Sequence, residues 1–464
     1  MRKSKRLLTN IRLTGMHPSG RSFGYWGDRK VYTEQGIPGE MVDMLVHTRQ
    51  RDWLSGNVVA VKEASESRVE PFCSHADICG GCAWQHIDYQ KQLGLKRLLL
   101  TEAFQKNIIA ISEIQEVIPS PSVQYFRNRL EFSFSSRRWY YEGEGRVDDP
   151  GQRCAMGFHP ADNAEKVFDV RECFLLPHPG MAIALFIKKC AVNKGFTFFD
   201  PKEFTGFMHS ITLRTTTTGQ IMTIVTFAEN RLEDIAWLME SIIRKFPAIG
   251  SLWYAVNLEG KMRFTDPQPW GITASTITET ANDLSFTVSP ASFYQPNPQQ
   301  AEVIFKAIED HCGLTGSENV VDLYCGVGTI SLTLARKART VTGIEGSPQA
   351  VEDAKRNAML NRISNTDFIC GDILETFTSG FLASHPRPDI IVLDPPRAGT
   401  LINIKKTIIE SDALRVIYLS CNPISLATDL QMLSGKYDIT HIQPFDMFPH
   451  TAHIETLVVM DLKH

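Results

Sequence analysis

Residues 418–425 read YLSCNPIS, an apolar run that ends on Ser420 and Cys421 and turns at Asn422-Pro423. Cysteine is small and often merely buried. A strand end in an α/β sheet, however, is where catalytic groups are presented, and a thiol there can act as a nucleophile. Nucleophilic addition to an unsaturated ring also needs a separate base. The stretch DMFPHTAHIETLVVMDL offers Glu455, at the point where turn residues pass into a strand. Burial in an apolar pocket would make its carboxylate a stronger base than one in water. His450 and His453, in the same stretch, are rival bases or ordinary turn histidines.

A second constellation lies upstream. VVDLYCGVGTISL puts Gly326 and Gly328 directly after a strand, where glycine lets the backbone turn tightly and approach a ligand. Glu345 closes the next strand and can accept both hydroxyls of a ribose. Ser331 stands where a dinucleotide-binding loop would carry its third glycine, which favours S-adenosylmethionine over NAD. Asp372 follows the strand DFIC, where it could meet an adenine amino group. Asp394 ends DIIVLD, and Pro395-Pro396 stiffen the turn behind it. A cysteine beside a methyl donor suits carbon 5 of a uracil. That carbon is a poor nucleophile until a thiolate adds to carbon 6.

The elements that must position these groups follow from periodicity. After residue 290, helix and strand alternate: 299–312, NVVDLY, ISLTLARKA, TVTGIE, PQAVEDAKRNAMLNR, DFICGD, DIIVLD and RVIYLS. That rhythm predicts a parallel, doubly wound sheet. Residues 123–275 are mostly strand-like, with helices near 178–193 and 232–245, and predict an α+β unit. Residues 9–66 predict short strands in a small barrel, and 88–106 a helix. The expected divisions are 1–67, 68–285 and 286–464. The polar loop 141–153 has no assigned role.

Composition narrows the class. No apolar run is long enough to span a membrane, and the basic N-terminus lacks a signal-peptide core, so a cytoplasmic protein is expected. Among ten cysteines, those clustered in a reducing compartment read as metal ligands or nucleophiles rather than disulfides. Cys190, Cys312, Cys325 and Cys370 read as buried small residues. The net charge of −4 conceals a basic start, with eight Lys/Arg in residues 1–30 against Asp28 alone. Arg127, Arg129, Arg137 and Arg138 are candidate phosphate contacts.

Taken together, FYQPN (293–297), DLYCGVG, LDPPRAG (393–399), SCNP (420–423) and FPHTAHIET (448–456) resemble the RNA uracil-5 methyltransferases. The resemblance implies an S-adenosylmethionine-dependent enzyme with a C-terminal Rossmann-like α/β domain of the class I methyltransferase type. Cys421 would be the nucleophile and Glu455 the proton-abstracting base. Gln295 would lie at cofactor and substrate, and Phe293 against the target base. Tyr324, Glu345 and Asp394 would be cofactor positions. Residues 9–66 are similar to a TRAM domain, an OB-like RNA-binding barrel. Cys73, Cys79 and Cys82, in PFCSHADICGGCAWQH, would hold a [4Fe–4S] cluster with Cys173 as fourth ligand, preferred over the nearby Cys154; zinc is the alternative. Barrel and cysteine run point to the branch acting on ribosomal RNA rather than transfer RNA, with a catalytically silent iron–sulfur RNA-binding module as a further alternative. The protein is expected to be a monomer.

Overall fold

Alternating burial along the first sixty residues bends five strands into a closed barrel. The computed structural model describes residues 6–107, 113–140, 144, 154–161, 163–257, 267–271 and 273–464. The barrel strands are β1 (Arg6–Met16), β2 (Ser22–Trp26), β3 (Arg29–Thr33), β4 (Met41–Arg49) and β5 (Trp53–Glu63), in the order β1-β2-β3-β5-β4. Their inward residues, among them Leu8, Leu13, Val31 and Met44, form a core of their own. Helix α1 (Tyr89–Lys106) follows, N-capped by Asp88.

The middle unit is an eight-stranded mixed sheet. It is built from β6 (Arg129–Ser135), β7 (Arg138–Trp139), β8 (Ala155–Phe158), β9 (Val167–Asp169), β10 (Met208–Thr215), β11 (Ile221–Phe227), β12 (Ser251–Val256) and β13 (Gln268–Pro269). Helices α2 (Gly180–Asn193) and α3 (Leu232–Lys245) cover it through Ile183, Ile187, Leu238 and Ile242. Of the 141–153 loop only Glu144 is among the described residues, where it pairs with Arg138 at 2.8 Å.

The last unit opens with the hairpin β14 (Ile277–Ala281) and β15 (Leu284–Val288). There follow α4 (Pro298–Cys312), β16 (Asn319–Leu323), α5 (Thr329–Ala335), β17 (Thr340–Glu345), α6 (Pro348–Leu360) and β18 (Thr366–Cys370). Then come α7 (Ile373–Thr376), α8 (Ser379–Ser384), β19 (Ile390–Leu393), α9 (Ile402–Ser411), β20 (Arg415–Ser420), α10 (Pro423–Leu433), β21 (Tyr437–Phe445) and β22 (Glu455–Leu462). Sheet order is β18-β17-β16-β19-β20-β22-β21. The first five strands are parallel, and β22 enters antiparallel between β20 and β21. Chain order therefore reverses between β16 and β19, and the crevice at the strands' carboxyl ends opens there.

Packing also joins segments that lie far apart in the chain. Helix α1 lies against α10, and its Leu93, Leu100 and Phe104 share a core with Leu426 of α10 and with Val321 and Tyr418 of the last sheet. The β14–β15 hairpin, also ahead of residue 286, is stitched to α6: Asn361 and Asn357 side chains accept the N–H groups of Ser285 and Thr287, both at 2.8 Å. Both segments have an apolar face that only the last sheet's two surfaces can cover.

Candidate active site

The glycine turn between β16 and α5 is held in an uncommon backbone shape. Tyr324, Gly326 and Gly328 have φ of 66°, 55° and 83°. A Cβ on Gly328 would come within 3.1 Å of the Phe368 ring, so glycine is required there for both reasons. Tyr324 bears the same left-handed backbone without that freedom, a strain characteristic of ligand sites. Glu345 accepts the Gly326 N–H at 3.1 Å through one carboxylate oxygen and the Ser347 N–H at 2.8 Å through the other. These two backbone donors fix the carboxylate's orientation and leave it further acceptor capacity toward the crevice. Asp372 is exposed at the end of β18 and caps α7 by accepting the Leu374 N–H at 2.8 Å.

Ser331, at the missing glycine's position, donates to the buried Asp322 at 2.5 Å. Burial pushes the Asp322 carboxyl up to about 7, opposed by the Ser331 bond and aided by Asp394 and Glu345. Sequence reading missed Asp322; its signal was a lone carboxylate inside the apolar strand VVDLY.

Across the crevice, Asp394 accepts a hydrogen bond from the Gln295 amide at 3.3 Å. The Gln295 carbonyl in turn accepts from the Asn128 side chain at 3.0 Å, so the middle unit holds this segment in place. Phe293 projects from it, 62% exposed. The loop after Asp394 is tied to the loop after Cys421. The Arg397 carbonyl accepts from Asn422 Nδ2 at 2.9 Å and Ser425 Oγ at 3.1 Å. Asn422 also caps α10, accepting the Ile424 N–H at 3.1 Å.

Pairing of β20 with β22 ends at Ser420 opposite Thr456. One step further along that register sets Cys421 opposite Glu455, on the other face of the sheet from Ser420 and Thr456. The half-buried Cys421 thiol is pushed up to about 11 by burial first, then by the negative charges of Glu455 and Asp394, against the pull of Arg397. Glu455 is raised by burial, then by Asp394, with Arg397 opposing. Asp394 is raised by burial, with the Gln295 bond opposing. A thiol, two carboxyls and a guanidinium thus share one electrostatic neighbourhood. Arg397 was not singled out from the sequence, because only the fold turns it toward the thiol.

The two histidines part company. His450 is buried, its ring against Gln92 Nε2 at 3.2 Å and the Val123 carbonyl at 3.0 Å. His453 is exposed and accepts from Arg397 Nη2 at 3.3 Å.

Cys73, Cys79, Cys82 and Cys173 line one cavity of about 380 Å³ together with Arg127, Arg129 and Glu131. Cys154 does not line it. Burial pushes Cys82 up to about 12 and Cys173 up to about 11, with neighbouring cysteines adding to each. Four thiols that resist ionisation on their own are a donor set that becomes favourable on meeting cations. Among the described residues, the one set of three ligand atoms within 4.8 Å of one another is Cys73, His75 and Glu172. Its members are already engaged: Glu172 accepts from Ser74 Oγ at 2.7 Å, and His75 Nε2 from the Arg171 N–H at 3.3 Å. The four cysteines thus meet around one cavity, and their thiols are a donor set that suits either zinc or an iron–sulfur group.

The arginines expected at phosphates lie near acidic side chains or the cysteine cavity. Arg137 lies 3.5 Å from both Glu165 and Asp200, Arg129 lies 3.6 Å from Glu131, and Arg127 faces the cysteine cavity. Cys312 and Cys325 are buried as expected, but Cys190 is half-buried and Cys370 exposed, the latter because β18 is an edge strand. No helix among the described residues is long and apolar enough to cross a membrane.

Residues 276–463 match the family profile described as tRNA (Uracil-5-)-methyltransferase. The chain is 35% identical over 460 residues to an uncharacterized RNA methyltransferase of Porphyromonas gingivalis, covering 97% of this chain and 99% of that protein. A Bacteroides thetaiotaomicron protein of the same description is also 35% identical, covering 97% and 100%. The crystal structure of the Pyrococcus abyssi tRNA (uracil-54, C5)-methyltransferase in complex with S-adenosyl-L-homocysteine superposes with a TM-score of 0.76 at 24% identity, over 98% of this chain and all of that one. It shares the fold, N-terminal barrel and Rossmann-like domain included. The chain belongs to the S-adenosylmethionine-dependent RNA (uracil-5-)-methyltransferases.

Proposed function

We propose that the protein methylates carbon 5 of one uridine in ribosomal RNA through a covalent intermediate on Cys421. The observation that carries the reading is the placement of Cys421 opposite Glu455 at the crevice where Asp394, Gln295 and the glycine turn converge. The target uridine leaves its loop and enters the crevice, with Phe293 against the base and Gln295 and Asp394 on its polar edge. The Cys421 thiolate forms a bond to carbon 6, and the electron pair displaced from the ring double bond makes carbon 5 a nucleophile. Bound near Tyr324, Gly326, Gly328, Glu345 and Asp372, S-adenosylmethionine supplies the methyl group as an electrophile. Glu455 then takes the carbon 5 proton, the carbon–sulfur bond breaks, and the thiolate is released.

Arg397 opposes the raised thiol, and solvent exclusion by the docked base strengthens that attraction. The barrel supports RNA binding as a TRAM-like module. Phe23, Tyr25, Tyr32 and Trp53 form a row of ring contacts 6.1–6.2 Å apart, with Arg21 5.0 Å over Tyr32 and Lys30 4.8 Å over Phe23. Interleaved aromatic and cationic groups suit stacked bases and their phosphates. Cys73, Cys79, Cys82 and Cys173 would hold a [4Fe–4S] cluster, with the Arg127 guanidinium beside it as counter-charge.

A transfer-RNA substrate is the second reading. It is favoured by the full-length superposition on an enzyme described as acting on tRNA, since a barrel shared with that enzyme does not separate the two branches. RNA carrying 5-fluorouridine tests the chemistry, because carbon 5 then has no removable proton and the adduct persists on a denaturing gel. No adduct with the wild-type enzyme on any RNA would exclude the covalent route. Mapping 5-methyluridine in ribosomal and transfer RNA of a strain lacking the protein decides the substrate.

A further inference from the structure

The turn between β21 and β22 carries Phe448 and ends at Glu455, and a buried polar node outside the crevice holds it. Lys96, from α1, is fully buried and donates to Asp446 Oδ1 at 2.5 Å and to the Phe448 carbonyl at 3.0 Å. Tyr89, about two turns earlier on α1, donates to Asp446 Oδ2 at 2.9 Å. The Tyr89 hydroxyl also accepts the Ser120 N–H at 2.9 Å. Asn297, buried at the end of FYQPN, donates to Ser120 Oγ at 3.0 Å and to the Met447 carbonyl at 3.1 Å. One connected set of bonds thus joins α1, the segment bearing Phe293 and Gln295, and the turn bearing Glu455.

A buried ion pair is a poor way to gain stability, because two charges lose their water and an apolar pair of similar volume often folds as well. What it contributes is direction. Lys96 and Asp446 each have hydrogen-bonding geometry that only one path of the 446–448 backbone satisfies, and a fully satisfied buried network specifies a unique arrangement. The turn has no regular secondary structure of its own, so its path must be set by such partners.

We infer that Lys96, Asp446 and Tyr89 are positioning residues for the methyl transfer: their buried node holds the turn that aims Glu455 at carbon 5 and keeps it in register with Gln295. The inference rests on the proposed role of Glu455 as base. It differs from a purely structural role in naming one step. Loosening the node leaves thiol attack and cofactor binding in place and slows proton removal.

The test replaces the pair by apolar residues, Lys96→Met with Asp446→Leu, so that no uncompensated charge stays buried. Tyr89→Phe, which removes a single hydroxyl, is the second variant. Both are assayed as the full-length enzyme. The expected result for the double variant is a fall in kcat of roughly a hundredfold, the order that about 1 Å of misplacement costs. The KM for S-adenosylmethionine stays unchanged, and a covalent adduct accumulates on ordinary uridine RNA. Tyr89→Phe shows the same adduct with a smaller fall. Should the double variant fail to fold, Tyr89→Phe alone decides. Wild-type turnover without adduct in a folded variant overturns the inference while leaving the reading of Glu455 intact. Failure of the wild-type enzyme to form any adduct with 5-fluorouridine RNA removes the reading, and the inference with it.

Discussion

Cys421 and Glu455 oppose each other one step beyond the last paired residues of β20 and β22, so the proposed nucleophile and base are aligned by a strand register. A slip of one residue would turn one of them to the other face of the sheet. The core residues Leu457, Val458 and Met460 of β22 guard against such a slip, since it would turn them out of their own packing.

Removing the proposed nucleophile should abolish chemistry and spare binding. Cys421→Ala is expected to give no adduct with 5-fluorouridine RNA and no methylation, while titration calorimetry finds S-adenosylhomocysteine binding unchanged. An adduct on that variant would move the nucleophile elsewhere.

Glu455→Gln keeps shape and removes basicity. Loss of a general base costs about 10²–10⁴ in rate. The variant should stall with RNA attached, seen as a slow-migrating band on ordinary substrate. Rapid turnover would count against Glu455.

The same residue predicts a pH signature in stability. Burial raises the Glu455 carboxyl in the folded state above its ordinary 4.5, so the folded state binds the proton more tightly than the unfolded chain. That preference favours the fold at low pH and is lost as pH rises past the ordinary value toward the raised one. Wild-type protein should lose stability relative to Glu455→Gln as the pH rises above that ordinary value. Melting temperatures of the two proteins across that rise check the sign, and a constant difference would contradict the burial.

Protein purified without oxygen should be brown and iron-bearing. Cys82→Ser or Cys173→Ser should bleach it while Cys154→Ser does not, with metal analysis and absorbance as readouts. A colourless protein that binds zinc would replace the cluster reading.

Ser331→Ala deletes the hydrogen bond to Asp322, whose second oxygen already lacks a partner among the described residues. Leaving a buried carboxyl unsatisfied costs about 1–3 kcal/mol. The melting temperature should fall, whereas Ser331→Thr, which keeps a hydroxyl, should lose less.

Local patterns were legible in the sequence where short-range physics governs. Helix α1, strands β16 to β20 and β22, and the glycine turn sit where periodicity and turn residues put them, because each is decided by neighbours within a few positions, whereas β21 was not anticipated. Strand ends marked Asp394 and Cys421 for the same reason. What periodicity could not supply was partnership. Nothing in ETLVVMDL says that it enters antiparallel beside RVIYLS, and that pairing brings Glu455 to the thiol. Nor does the apolar stripe of α1 say which unit it covers. Arg137 read as a phosphate contact because its sequence neighbours are basic, yet Glu165 and Asp200 reach it only through the folded sheet. Cys370 read as buried because β18 looks apolar, and its place at the sheet edge overrides that.

The position of β22 governs when this site can exist. It is the last described strand along the sequence, yet it lies inside the sheet, flanked by β20 and β21. The thiol-bearing strand β20 keeps one edge open until the segment bearing Glu455 pairs with it. A chain halted ahead of residue 455 holds a methyl-donor turn and a thiol but neither a base nor an interior strand. On the proposed mechanism such a chain could capture an RNA and not release it, so the seating of β22 divides turnover from capture.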